Sequence, residues 1–280
     1  MGWRLEIVHT TRVYYEGTAR ASYNEARMTP VTLPTQTALE TRMWTGTGTP
    51  VWPYLDYWGT LVNSFDIQAP HNELSVTARC VVETGLAPEP STPLTWAQLR
   101  EVAAGGRQAE YLWPTPRTTV DPALAATARQ RTADADPLEA AADIAALVRD
   151  RVAYVPGATG VQTSAQEAWD KGQGVCQDIA HLTVALLRKV GLPARYVSGY
   201  LHPYPEADLG DTVAGQSHAW VEYWTGEWVA VDPTNQAPVG VCHVVVARGR
   251  DYADVPPLKG IYHGAPSSTM DVTVEVTRRA

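Results

Sequence analysis

Polar and apolar positions alternate with a period of two near both ends of the chain and follow a helical period in its middle. The run Trp3-Arg4-Leu5-Glu6-Ile7-Val8-His9 and the run from Leu74 to Val82 put every second side chain on one face, which predicts strands. In the second run Leu74, Val76, Ala78, Cys80 and Val82 share the apolar face, so the Cys80 thiol is expected to be packed and inert. Met270, Val272, Val274 and Val276 predict a last strand over 269–277 by the same period. Asp136-Pro137 followed by Leu138, Ala141, Ile144, Ala145, Val148 and Val152 predicts an amphipathic helix, with Asp136 as N-cap and Pro137 in its first turn. A second helix is predicted over 175–190, with Val175, Ile179, Leu182, Leu186 and Val190 on one side and Gly191 and Pro193 to stop it. Strand-like segments follow at 194–201, 217–224 and 228–231.

The fold class expected from this order is α+β, a β-rich N-terminal domain over 1–115 and a helix-plus-antiparallel-sheet domain over 116–280 that ends in a strand. Two Pro-containing breaks mark the passage between them, 85–93 and Trp113-Pro114-Thr115-Pro116. The second is taken as the boundary, and 113–121 is expected to be exposed and open to proteolysis.

Composition narrows the function classes. With 30 acidic against 22 basic residues and a formal charge of −8, the chain lacks the basic face that phosphates require, so no nucleic-acid partner is expected. No run of about 18 apolar residues is present, so no membrane partner is expected either. The N-terminus enters a strand pattern at once without an export signal, and 3 cysteines are too few for a disulfide framework, which together predict a cytoplasmic protein. At 280 residues the chain is long enough to fold without a metal or disulfide staple, and no cofactor is expected.

Cys176 differs from Cys80 and Cys242 in its place. It follows Gly172-Gln173-Gly174-Val175 and opens the second predicted helix, where unpaired amides and the helix dipole favour thiolate and can receive an oxyanion. His218 opens the strand that ends at Trp224, and Asp232 ends the strand that starts at Trp228. His181, five residues after Cys176, points elsewhere around the helix. A cysteine at a helix start, then a histidine and an aspartate on adjacent strands, is the chain order of a papain-type triad.

At these residues the sequence resembles the bacterial transglutaminase-like proteins. The resemblance rests on Gly174-Val175-Cys176-Gln177-Asp178, on Gly191-Leu192-Pro193-Ala194-Arg195-Tyr196-Val197-Ser198-Gly199-Tyr200, on Ser217-His218-Ala219-Trp220-Val221-Glu222 and on Asp232-Pro233-Thr234-Asn235. Pro70-His71-Asn72-Glu73-Leu74 resembles the end of the β-rich region that accompanies this core, and 249–257 resembles a C-terminal block. The resemblance implies a papain-like core with Cys176 as nucleophile, His218 as general base and Asp232 as the residue that orients it. The expected activity is cleavage or transfer of an amide or ester acyl group through an acyl-cysteine intermediate. Its partners would be a peptide, amide or acyl substrate and either water or an amine acceptor. The backbone amide of Cys176, with Trp169 or Gln173 upstream, is the expected oxyanion hole.

Two other readings have their own marks. A non-catalytic binding module that keeps the fold would be expected to lack Cys176 or His218, and both are present. A metal site from Cys176, Cys242, His218 and His243 would show paired ligands at short spacing, and no Cys-x-x-Cys or His-x-x-x-His occurs, so no metal is expected. The triad also sets a geometric condition. A two-residue turn after Trp224 would send His218 and Asp232 to opposite faces of the sheet. A three-residue loop of Thr225-Gly226-Glu227 pairs Trp224 with Trp228 and puts them on one face, and Thr225 is a poor residue for a tight two-residue turn.

Overall fold

The computed structural model describes residues 2–86, 93–103, 105–215, 217–235 and 238–280. Six strands come first: β1 (Trp3–Ala19), β2 (Ala21–Ala26), β3 (Gln36–Thr45), β4 (Trp52–Leu55), β5 (Leu61–Ile67) and β6 (His71–Thr84). Helices α1 (Trp96–Ala103), α2 (Pro122–Arg131) and α3 (Pro137–Arg151) follow, then β7 (Ala153–Tyr154), α4 (Ala165–Lys171), β8 (Gln173–Gly174) and α5 (Cys176–Val190). The remaining strands are β9 (Ala194–Leu201), β10 (Thr212–Gly215), β11 (Ser217–Trp224), β12 (Trp228–Val231), β13 (His243–Gly249), β14 (Leu258–His263) and β15 (Ser268–Arg278). The α+β class is as expected. Most of the 85–93 connector lies outside the described residues.

Local chemistry accounts for the helices. Asp136 caps α3 through bonds from the Leu138 and Glu139 amides, and Pro137 occupies its first turn. Gly191 ends α5 in the left-handed conformation. The period of α5 predicts one buried side, but every residue from Gln177 to Arg188 is buried. Strands β9 and β11 cover it on one side and α2, α3 and α4 on the other.

The C-terminal strands return across the expected boundary at 115/116 and pair with the N-terminal half. One sheet runs β10-β15-β1-β6-β3, a second runs β14-β2-β5-β4, and the core sheet runs β12-β11-β9-β13. β15 pairs antiparallel with β1 from Leu5↔Arg278 to Tyr15↔Ser268. One hydrophobic core holds Leu5, Ile7 and Val76 of the N-terminal sheet together with Ile144, Leu182 and Leu186 of the helices. The Gln36 side chain pins the halves by bonding both the Val245 carbonyl and the Val245 amide, at 2.8 Å each. The expected exposure of 113–121 holds in part: Trp113, Pro114, Pro116, Thr119 and Asp121 are exposed, but Thr115, Thr118 and Val120 are buried. The buried Arg188 guanidinium donates to the Trp113 carbonyl and to Thr118 Oγ1, at 3.0 Å each, and clamps the segment onto α5.

Candidate active site

The cysteine is placed by the turn before α5. Val175 is extended, and the Asp178 carboxylate turns back to accept from its amide at 2.9 Å and from Thr159 Oγ1. This requires glycine at 174, because a Cβ there would lie 2.8 Å from the Asp178 Cβ. Burial raises the Asp178 carboxyl from its ordinary value, against these bonds. Cys176 therefore opens the helix half-buried, and its amide is one of those that have no acceptor within the helix.

The histidine and aspartate are placed by the hairpin β11–β12. Trp224 pairs with Trp228 across a three-residue loop, and the register runs on to Val221↔Val231. Asp232 comes next, on the face of Trp220 and His218. His218 Nε2 and Asp232 Oδ2 are 2.7 Å apart, and both residues are buried. The Asp232 carboxylate is held on every side. Oδ1 accepts the Thr234 and Asn235 amides at 2.9 and 3.1 Å, and Oδ2 also accepts Asn235 Nδ2 at 2.9 Å. His243 Nε2 stands 3.3 Å from the same Oδ2. Because His243 Nδ1 accepts the Gly240 amide, its proton is on Nε2 and points at Asp232. The Trp220 ring stacks on the His218 ring, with centroids 5.9 Å apart. Trp220 also lies over Gly199, where a Cβ would come within 2.6 Å of the indole and 2.0 Å of the Val244 carbonyl oxygen.

Burial alone would lower the His218 pKa. Hydrogen bonds to Asp232 and to the Cys176 side chain outweigh it and raise the value to about 9. Burial would raise Asp232, but His218, His243 and Asn235 hold it well below the usual carboxylate range. At neutral pH the pair is an imidazolium beside a carboxylate. Asp232 takes Nε2, which leaves Nδ1 for the thiol.

Neither upstream oxyanion candidate is among the described residues that line the cavities at Cys176. Trp169 is half-buried under the Arg151 guanidinium, and Gln173 is exposed on β8. The side chain near the thiol is Tyr154, on the strand β7 that pairs with β8. Tyr154, Asn235 and Asp178 are site residues that the sequence did not single out, and His243, weighed there only as a metal ligand, stands against Asp232. Cys80 is buried, and burial pushes its thiol up to about 12. His181 accepts the Tyr252 amide on Nε2, and burial holds it neutral, with its pKa lowered to about 3. His218, Asp232 and His243 bring three potential metal-ligand atoms within 4.8 Å, and Cys176 and Cys242 do not join them. Those same atoms bond to one another.

Two cavities meet at the reacting pair. One of about 320 Å³ lies between the α5 start and strands β1 and β15 of the large sheet. An open one of about 740 Å³ lies on the other side and includes Tyr154, Asn235 and Glu275. Cys176, His218, Val175, Ser217 and Val272 line both, so the thiol stands at their junction.

Residues 125–233 match the transglutaminase-like superfamily core, and residues 5–83 match the bacterial transglutaminase-like N-terminal region. An uncharacterised protein of Mycobacterium leprae is 45% identical over 278 residues, 99% of this chain and 100% of its own length. An uncharacterised protein of Mycobacterium tuberculosis is 32% identical over 98% of this chain and 92% of its own length. A protein-glutamine gamma-glutamyltransferase of Pseudomonas aeruginosa is 36% identical over 124 residues, 40% of this chain and 18% of its own length. The fold is similar to that of a Cytophaga hutchinsonii protein provisionally described as a cysteine protease, with a TM-score of 0.79 at 21% identity, over 99% of this chain and 91% of that one. With both halves matched in order, and a relative of nearly half identity aligned from end to end, the chain belongs to the bacterial transglutaminase-like family.

Proposed function

We propose that the protein is a cysteine-dependent acyl enzyme acting on an amide or ester carbonyl. The observation that carries this is the 2.7 Å His218–Asp232 pair set beside a thiol at a helix start. In the reactive form the Cys176 proton already sits on His218, so a thiolate stands beside an imidazolium that Asp232 stabilises and orients. The thiolate sulfur attacks the carbonyl carbon. The oxyanion receives the Cys176 amide and the Tyr154 hydroxyl, in place of the two upstream candidates. His218 then gives its proton to the leaving amine or alcohol, and the thioester is resolved by water or by an amine.

Iodoacetamide is expected to label Cys176 at neutral pH, with Cys80 and Cys242 slow. Mass spectrometry after reaction with a 4-nitrophenyl ester, with and without an alkylamine, reads the acyl-enzyme and its acceptor. Acylation of Cys176 that is lost in Cys176→Ala and His218→Ala is the expected result. Equal ester turnover by Cys176→Ala would sink the thiol mechanism.

A further inference from the structure

The smaller cavity beside Cys176 is walled by residues far from the triad in sequence. His9 and Thr11 of β1 and Met270 and Val272 of β15 form one side, with Ser198 and Tyr196 of β9 across from them. Their placement follows from the register. Thr11 pairs with Val272 and Val13 with Met270, so alternate residues of the two strands share this face. The period of β15 predicts burial for Met270 and Val272 alike with Val274 and Val276. Only the last two are buried, and the first two stay 56% and 38% exposed. They stand over the cavity instead of in the core.

The wall mixes apolar and polar side chains, and His218 is its one charged member. Among the described residues that line the cavity none is Asp, Glu, Lys or Arg. The Tyr200 hydroxyl donates to the Met28 carbonyl at 2.9 Å, so at 2.8 Å from His9 Nδ1 it must accept, and His9 carries its proton on Nδ1. Thr11 Oγ1, 3.3 Å away, donates to the remaining Nε2. Burial lowers the His9 pKa to about 4, so the ring is neutral in the working range. His218 has the Asp232 carboxylate as its counter-charge at 2.7 Å. A charged group entering here would lose its hydration and find no counter-charge.

We infer that this cavity is the acyl-group pocket, built by the N-terminal sheet, and that it selects uncharged acyl groups. The inference rests on the thiol reading above. At roughly 30 Å³ per water-sized group the space holds about ten such groups, a substituted aromatic or a short side chain. The open cavity on the other side of the thiol receives the leaving group and then the acceptor.

The test uses the intact protein and four 4-nitrophenyl benzoates with a methyl, carbamoyl, carboxylate or trimethylammonium group in the para position. Cys176 Sγ bonds to the carbonyl carbon, the ester C–O bond breaks and 4-nitrophenolate leaves, which gives the burst that is measured. Each rate is divided by that with N-acetylcysteine amide to remove intrinsic reactivity. The two neutral esters are expected to acylate Cys176 about 100-fold faster than the two charged ones. Met270→Lys, a change at an exposed position, is expected to raise the carboxylate ester's rate about tenfold relative to the methyl ester. Val272→Lys repeats the test at the junction of the two cavities. Normalised rates that are equal for all four esters, or a carboxylate rate untouched by both lysines, overturn the inference and leave the thiol mechanism standing. No burst from any ester, with Cys176 unlabelled by iodoacetamide, overturns both.

Discussion

Replacing Asp232 by Asn separates charge from shape at the site. The Asn carbonyl can keep the Oδ1 bonds from the Thr234 and Asn235 amides, so the turn after β12 survives. The amide nitrogen then stands where Oδ2 receives His218 Nε2, His243 Nε2 and Asn235 Nδ2, and donors meet a donor. His218 titrates at about 9 against an ordinary 6.5, and bonds to Asp232 and Cys176 carry that rise against burial. The full rise is worth about 3.4 kcal/mol at 1.36 kcal/mol per unit. The contribution of Cys176 remains in the variant, so the midpoint is expected to fall by about 2 units, or ~2.7 kcal/mol. At pH 8 this cuts the imidazolium population about tenfold, before any loss from the wrong tautomer. The raised pKa stabilises the folded state fully below about pH 6.5 and loses that contribution as pH rises through about 9, and in the variant this window closes downward. The assay is the NMR titration of the His218 ring in histidine-labelled protein, with the pH dependence of Cys176 alkylation beside it. A midpoint that moves by less than about half a unit would refute the claim that Asp232 is what holds the imidazolium.

Four further outcomes are expected. Tyr154→Phe should slow acylation about 10- to 100-fold with little change in iodoacetamide labelling, read from the ester burst. Gly199→Ala should cost about 3 kcal/mol and lower Tm by roughly 10 °C in a thermal melt, because its Cβ meets the Val244 carbonyl and the Trp220 indole. Arg188→Met should leave the carbonyls of Trp113, Ala194 and Arg250 without its guanidinium, and limited proteolysis should then cut within 113–121, where the wild type resists. Cys80→Ala and Cys242→Ala should keep turnover that Cys176→Ala abolishes, compared in one burst assay.

The parts of this molecule that were legible in its sequence are the ones determined by neighbours in the chain. Gly191 and Pro193 mark the end of α5, and Asp136-Pro137 marks the start of α3, because caps and breakers act within a turn. The loop of Thr225 to Glu227 could be counted because strand parity is a local rule, and the His218–Asp232 pairing follows from it. Partner choice between distant strands is not local. The alternation of 269–277 predicts a strand but not that it joins β1. Nor does it show that Met270 and Val272 face a cavity. His243 begins an apolar run and carries no sign that its ring meets Asp232. Arg188 falls on the helical period like any surface residue, and the carbonyls of Ala194, just past the helix, and of the distant Trp113 and Arg250 explain its burial.

The pairing of β1 with β15 orders the events of biosynthesis. Strand β1 leaves the ribosome early and must wait for a partner more than 250 residues later, a contact of very high sequence separation. Cys176, His218 and Asp232 have all been made before that partner exists. At about 5–20 residues per second, synthesis of the 46 residues from Asp232 to Arg278 takes roughly 2–9 s. During that interval the nascent chain carries a thiol and its base without the Met270 and Val272 wall. β15, translated after all three, completes the wall beside Cys176, so the growing chain has the triad residues before it has that wall.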